Sequence, residues 1–197
     1  MVSTALFALA AFVMGGFPTG VIAARARGVD LRKVGSGNVG ATNVGRALGK
    51  RWAIVVLLID AAKGAIPVLA AAAFAPSFLA NQPVMPVIGL AAVLGHMFSV
   101  FLKGRGGKGV ATSFGAALAL SPSAALGSFV LYALLFAVFR ISSVGSLAAV
   151  ASYPVFLWLL GSRDPAMLAF GISIAVLVTA RHRDNIRRLL RGEEPRS

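Results

Sequence analysis

The sequence contains no cysteine, which excludes disulfides, thiolate nucleophiles and Cys-based metal sites and leaves the redox compartment unmarked. Acidic side chains are scarce: 6 Asp and Glu stand against 19 Lys and Arg, for a formal net charge of +13. A magnesium site built from several carboxylates is hard to assemble from so few, so no metal and no other cofactor is expected. Charged residues of both signs make up only 13% of the chain. No hydrophilic stretch is long enough to fold as a separate soluble domain.

What fills the chain instead is apolar: 58% of it is hydrophobic, with a mean hydropathy of +0.85, well above an ordinary water-soluble domain. Crossing the hydrocarbon layer takes roughly 20 mainly apolar residues in a helix. Apolar runs occupy 3–24, 52–74, 84–102, 110–120, 124–139, 144–160 and 166–180. They predict an all-α polytopic membrane protein of about seven helices, a single domain over 1–197. The run at 110–120 is short for a crossing and is followed by Pro122, so a half-length or tilted helix inside the bundle is expected there. Turn chemistry marks other breaks, with Pro76, Asn81 and Pro83 in one and Arg163-Asp164-Pro165 in another. The first run lacks the positive n-region of a signal peptide and is expected to persist as a helix. Within it Gly16 and Gly20 form a small-xxx-small pair, read as helix packing.

Lys and Arg collect in alternate loops. Arg25, Arg27, Arg32, Lys33, Arg46, Lys50 and Arg51 fall in the first, Lys103, Arg105 and Lys108 in the third, Arg140 in the fifth, and six arginines from Arg181 onward in the tail; the intervening loops carry only Arg163. Because cytoplasmic loops hold the positive excess, the N-terminus is expected outside and the C-terminus in the cytoplasm. Cations placed between apolar runs also account for the net charge without nucleic acid, which would favour a basic face on a soluble domain. Three glycine- or histidine-bearing segments thereby share one membrane face.

The first segment reads Gly35-Ser36-Gly37-Asn38-Val39-Gly40-Ala41-Thr42-Asn43, with Arg46 shortly after. Closely spaced glycines let successive N–H groups turn into one concavity, which suits phosphate oxygens. Gly35, Gly37 and Gly40 fit G-x-G-x-x-G, but a membrane helix precedes them where a dinucleotide fold needs a strand, so that match is rejected. The second segment runs from Leu94-Gly95-His96 to Lys103-Gly104-Arg105-Gly106-Gly107-Lys108-Gly109. It is no Walker motif: Leu102 replaces the first glycine and Gly109 the magnesium-binding hydroxyl. A glycine turn before a helix still offers N–H groups and a positive dipole end, with Lys108 as a point charge for phosphate. His96 reads as a hydrogen-bonded packing residue.

In the third segment, Arg181-His182-Arg183-Asp184-Asn185, the two neutral polar residues lie three apart and share a face if the last helix continues. The surrounding arginines suit anionic lipid headgroups; the His182–Asn185 pair is either packing or part of a site. Asp60 and Lys63, inside the second apolar run, read as a structural ion pair rather than a substrate contact. Neither histidine begins a His-x-x-x-x-Asp dyad, because Phe101 and Arg187 occupy the positions where Asp would stand.

Together these segments resemble the bacterial acyl-phosphate:glycerol-3-phosphate acyltransferase family, PlsY. The likeness covers nearly the whole chain, through Gly35–Asn43 with Arg46, Asp60-Ala61-Ala62-Lys63-Gly64, Leu94-Gly95-His96, Gly106-Gly107-Lys108-Gly109-Val110-Ala111-Thr112, and His182 to Asn185 ahead of Arg188-Leu189. It implies a seven-helix enzyme of the bacterial inner membrane that moves a fatty acyl group from acyl phosphate to the 1-hydroxyl of glycerol 3-phosphate, early in phospholipid synthesis. By the same resemblance Gly37, Asn38, Val39, Gly40, Ala41 and Thr42 hold the acyl-phosphate head. Ser36 and His182 contact the reacting centre, Arg46, Lys108 and Asn185 hold the acceptor phosphate, and Asn43, His96, Gly106 and Gly107 support them. The implied partners are the two substrates and the bilayer, and a monomer is compatible with all of this. An acyl phosphate is already an activated anhydride, so positioning and charge stabilisation suffice without a covalent intermediate. The proton acceptor is either His182 or a donor phosphate oxygen. The rival reading is a small anion transporter, which should place its site near the membrane midplane.

Overall fold

The computed structural model describes residues 2–74 and 84–196, so the turn expected around Pro76, Asn81 and Pro83 lies outside the described residues. The apolar runs are mainly helical, and among the described residues there is no strand. In chain order the helices are α1 (Val2–Gly15), α2 (Thr19–Arg25), α3 (Ala41–Leu48), α4 (Lys50–Phe74), α5 (Val84–Met97), α6 (Val110–Leu120), α7 (Pro122–Phe139), α8 (Ser142–Leu159), α9 (Pro165–Arg181) and α10 (Arg183–Leu190). Five stretches are long and apolar enough to cross a membrane: Thr4–Arg25, Lys50–Phe74, Val84–Leu102, Pro122–Phe139 and Ser142–Leu159. Counting the α9–α10 pair, bent by 62°, as one span makes six. The short run is an 11-residue helix, α6, the half-length expected from its sequence. Helices are the natural solution because hydrocarbon offers no water to satisfy backbone N–H and C=O groups. Large apolar side chains such as Leu58, Leu134, Val138 and Leu159 point outward, where lipid rather than water receives them.

The chain divides into two compact units, Met1–Ala116 and Ala117–Ser197. In the first, the leading span is broken rather than continuous. Pro18 has no N–H to donate, and the chain unwinds between α1 and α2, freeing carbonyls in an apolar setting. Ser99 Oγ donates to Gly16 O, and Lys63 Nζ donates to Phe17 O at 2.6 Å. Lys63 is in turn paired with Asp60 at 2.6 Å, both side chains nearly inaccessible. The buried charges of α4 are therefore a neutral pair that caps the break in the first span.

Glycine sets how closely the helices pass. A Cβ at Gly15 would lie 2.0 Å from Ala92 O and one at Gly95 would lie 1.9 Å from Phe12 O, which brings α1 and α5 into backbone contact. The same relation holds between α4 and α6, where a Cβ at Gly64 would meet Thr112 O at 2.0 Å and one at Gly115 would meet Ala61 O at 1.8 Å. Small residues at such crossings replace the hydrophobic driving force that lipid does not supply. In the second unit α8 packs against both α7 and α9, with Tyr153 and Phe170 edge to face at 6.1 Å.

These crossings give a graded expectation. Gly115→Val forces α4 and α6 apart and should lower unfolding free energy by about 1–3 kcal/mol or more, read as a lower melting temperature in detergent. Gly127→Ala, whose added methyl meets only Phe156 ring atoms at 3.3–3.4 Å, should melt close to the native protein. Equal melting of both variants with the native protein would show that the crossings tolerate bulk.

Candidate active site

In the first unit a single 3-10 turn, Leu31–Lys33, leads into the glycine segment, and α3 follows it. Asp30 accepts from Arg32 N at 3.0 Å and starts the turn. Gly35 and Gly37 have φ of +55 and +67, a left-handed conformation that favours glycine. Gly35 also has no room for a side chain, since a Cβ there would sit 2.5 Å from Asn43 Oδ1. Asn43 is 1% exposed and organises the segment from within. Its Nδ2 donates to Leu31 O at 3.1 Å, Val34 O at 3.0 Å and Asn38 O at 2.8 Å, while its Oδ1 accepts from Ser36 N at 3.0 Å. Two amide protons shared among three carbonyls gather the loop around one buried side chain. Apolar residues Ala24, Leu31, Val39, Val44 and Val56 form the floor beneath it. Ser36 and Arg46 are both half-buried, and the Arg46 side chain runs alongside Gly35. The structure thus brings the expected donor loop, Ser36, Asn43 and Arg46 together.

The second glycine segment is built differently from its sequence reading. Gly106 N donates to Met97 O at 3.1 Å and Gly107 N to His96 O at 3.1 Å. These two amides close the C-terminal end of α5 and are not left for an anion. Their glycine identity is steric: a Cβ would lie 2.0 Å from His96 O at Gly106 and 2.3 Å from His96 Nε2 at Gly107. Lys103, Gly104 and Gly109 have φ of +52, +77 and +84, so the chain turns sharply at both ends of the segment. Lys108 is half-buried between them, while Lys103 and Arg105 are exposed. Arg32 Nη2 donates to Arg105 O at 2.7 Å, which fastens the second segment to the first. His96, packed against Gly107, lines a small, partly open cleft together with Thr19, Val39, Asp60, Lys63 and Gly106.

In the second unit the last helix does not continue straight. His182 closes α9 and opens α10 at the 62° bend. Its ring is buried, and Nδ1 lies 2.8 Å from Val178 O. A carbonyl only accepts, so Nδ1 carries the proton, and when the ring is neutral its lone pair lies on Nε2. Asn185, three residues into the new direction, is also buried. Its Nδ2 donates to Glu194 Oε1, which also accepts from Ser143 Oγ at 2.9 Å, and Arg188 Nε reaches Glu194 Oε2 at 2.7 Å.

The family model for glycerol-3-phosphate acyltransferase matches residues 5–192. The chain belongs to the glycerol-3-phosphate acyltransferase family. Curated relatives of that name include one from Geobacter sulfurreducens, 43% identical over 100% of this chain and 98% of the relative. Another, from Aquifex aeolicus, is 46% identical over 94% and 95%. Among solved structures it is similar to PlsY, an integral membrane glycerol 3-phosphate acyltransferase, in its glycerol 3-phosphate form, with a TM-score of 0.93 and 45% identity over 99% of this chain and 96% of that one. The lysophosphatidic acid form matches with a TM-score of 0.90 and 43% identity, covering 98% and 95%.

Sequence reasoning did not find Ser143 or Glu194. Ser143 looks like any serine at the start of an apolar helix, and Glu194 sits in a short polar tail that carries no periodic signal. The family resemblance puts Asn43 among the supporting residues, and its four hydrogen bonds make it the hub of the loop. That role has a direct test. Asn43→Asp keeps the size of the side chain but turns an acceptor toward three carbonyls, at about 1–3 kcal/mol for each buried group left without a partner. Faster amide exchange at Ser36 and Gly37 and a lower melting temperature are expected; native exchange rates there would show that Asn43 does not hold the loop.

Proposed function

We propose that the whole chain acts as one acyl-phosphate-dependent acyltransferase of the bacterial inner membrane, making 1-acyl-glycerol 3-phosphate and inorganic phosphate at the start of phospholipid synthesis. The main support is the pair of molecules named for the solved relatives, glycerol 3-phosphate and lysophosphatidic acid, which differ by a single acyl ester. Acyl phosphate is assigned as the donor on the resemblance of the three segments to the acyl-phosphate-dependent family, and the glycine loop that Asn43 orders suits a phosphate head. In this reading the 1-hydroxyl oxygen attacks the acyl carbonyl carbon, a carbon–oxygen ester bond forms, and the bond between acyl carbon and phosphate oxygen breaks. The leaving phosphate keeps that oxygen. Gly37 to Thr42 hold the donor phosphate, Ser36 orients the reacting centre, and Arg46, Lys108 and Asn185 bind glycerol 3-phosphate. His182 takes the hydroxyl proton on Nε2, the nitrogen that its bond to Val178 leaves with a lone pair.

Reconstituted protein should acylate glycerol 3-phosphate from acyl phosphate and not from a thioester. Uptake of glycerol 3-phosphate into sealed vesicles without acylation would favour an anion carrier instead. The division of labour is also measurable. A charged phosphate contact contributes roughly 1.5–3 kcal/mol, and where it is equal in ground and transition states its loss appears in KM. Arg46→Ala and Lys108→Ala are therefore expected to raise the acceptor KM about tenfold or more, whereas Ser36→Ala and His182→Ala should chiefly lower kcat. Four folded variants with native rates and KM would remove the site assignment.

The site is proposed to face the cytoplasm, following the distribution of Lys and Arg. A cysteine introduced at exposed Lys103 should react with a membrane-impermeant maleimide only after the cells are opened. Reaction in sealed cells would reverse the orientation.

A further inference from the structure

The tail after α10 folds back on the helix it follows. Gly192, with φ of +71, reverses the chain, and its N–H bonds to Leu189 O at 3.1 Å while Glu193 N bonds to Arg188 O at 2.8 Å. That turn carries Glu194 inward, where its side chain is only 5% exposed. One carboxylate oxygen accepts from Asn185 and from Ser143 in the first turn of α8, and the other accepts from Arg188. Burial pushes the Glu194 carboxyl up, but the bonds from Asn185, Arg188 and Ser143 and the charge of Arg188 outweigh it and hold the group below its ordinary range. It is therefore ionised at neutral pH and can only accept.

An ionised carboxylate fixes which way a neighbouring amide faces. Asn185 must present nitrogen to Glu194, and its oxygen then points away from the tail. We propose that Glu194 is a positioning residue for the acyl-acceptor step, holding Asn185 so that its amide oxygen is what meets the acceptor. A carbonyl oxygen suits a hydroxyl of glycerol 3-phosphate and repels its phosphate, so this places Asn185 at the glycerol end rather than at the phosphate end that the family resemblance implies. The inference rests on reading Asn185 as an acceptor-binding residue. Glu194 lies beyond the 5–192 span that defines the family match.

A double-mutant cycle tests it on the full chain in detergent or vesicles. Glu194→Gln keeps the shape but removes the charge, and is expected to raise the acceptor KM roughly tenfold, the effect of one lost charge-assisted bond, while leaving the donor KM unchanged. With Asn185 already changed to Ala, the same substitution should add less than about twofold, because residues acting through one contact are not additive. Full additivity, or a native acceptor KM in folded Glu194→Gln, overturns the proposal. A fall in acceptor KM also overturns it, and makes the tail a competitor for the acceptor's place. If Glu194→Gln does not fold while Asn185→Ala does, Glu194 serves stability alone and the proposal fails. Native kinetics in Asn185→Ala would instead remove the reading of Asn185 on which the proposal stands.

Discussion

The first unit depends on what happens to two carbonyl oxygens. When the leading span unwinds between Gly15 and Thr19, the carbonyls of Gly16 and Phe17 lose their i+4 helical donors, and Phe17 O keeps only the Thr19 N–H of its own backbone at 3.0 Å. Ser99 satisfies one and Lys63 the other. Bringing a lysine there carries its own cost, which Asp60 offsets by pairing with it. Three separate segments of the chain are thus tied to one irregular turn. The break also redirects α2, so that Gly20 passes beneath the loop with its backbone close to Val39 O. The intramembrane charge pair and the approach of α2 to the glycine loop both go with the same interruption.

Two distinct uses of glycine follow from this arrangement. Gly15, Gly64, Gly95 and Gly115 sit in ordinary helical backbone and are small because another backbone lies where a side chain would go. Gly37 and Gly109, by contrast, stand at positive φ. The segments that read alike from sequence, one after α2 and one after α5, divide along this line. In the first, the backbone is shaped around the Asn43 side chain. In the second, Gly106 and Gly107 fold onto the end of α5 and give up their N–H groups to it.

The helical class, the short α6 and the ion pair of Asp60 and Lys63 were legible in the sequence because each follows from a local rule. Long apolar runs must be helical, a run of 11 residues is too short to cross, and opposite charges at i, i+3 in an apolar setting pair with each other. The broken first span was not legible. Gly16 and Gly20 read as helix packing in the sequence, although with Gly15, Pro18 and Thr19 they form a cluster of breakers, and only the partners of the released carbonyls show why an unwound turn is tolerated. The bend at His182 was likewise hidden, because the residues on both sides of it favour helix. For the site, residue types and their order pointed to the segments, but hydrogen-bond direction decided what each could do. His182 gained a tautomer from Val178, and Asn185 gained an orientation from a tail residue with no sequence signature.

The folded-back tail has a practical side. A chain trimmed at Gly192 would retain every residue that the family model matches, and by sequence comparison it would look intact. It would nonetheless lose the carboxylate that joins the start of α8 to α10, leaving Ser143, Asn185 and Arg188 without their common partner. An affinity handle fused immediately after Glu193 would do the same damage while adding mass. For anyone cloning this protein, the reading frame has to run past Glu194, with slack before any appendage begins.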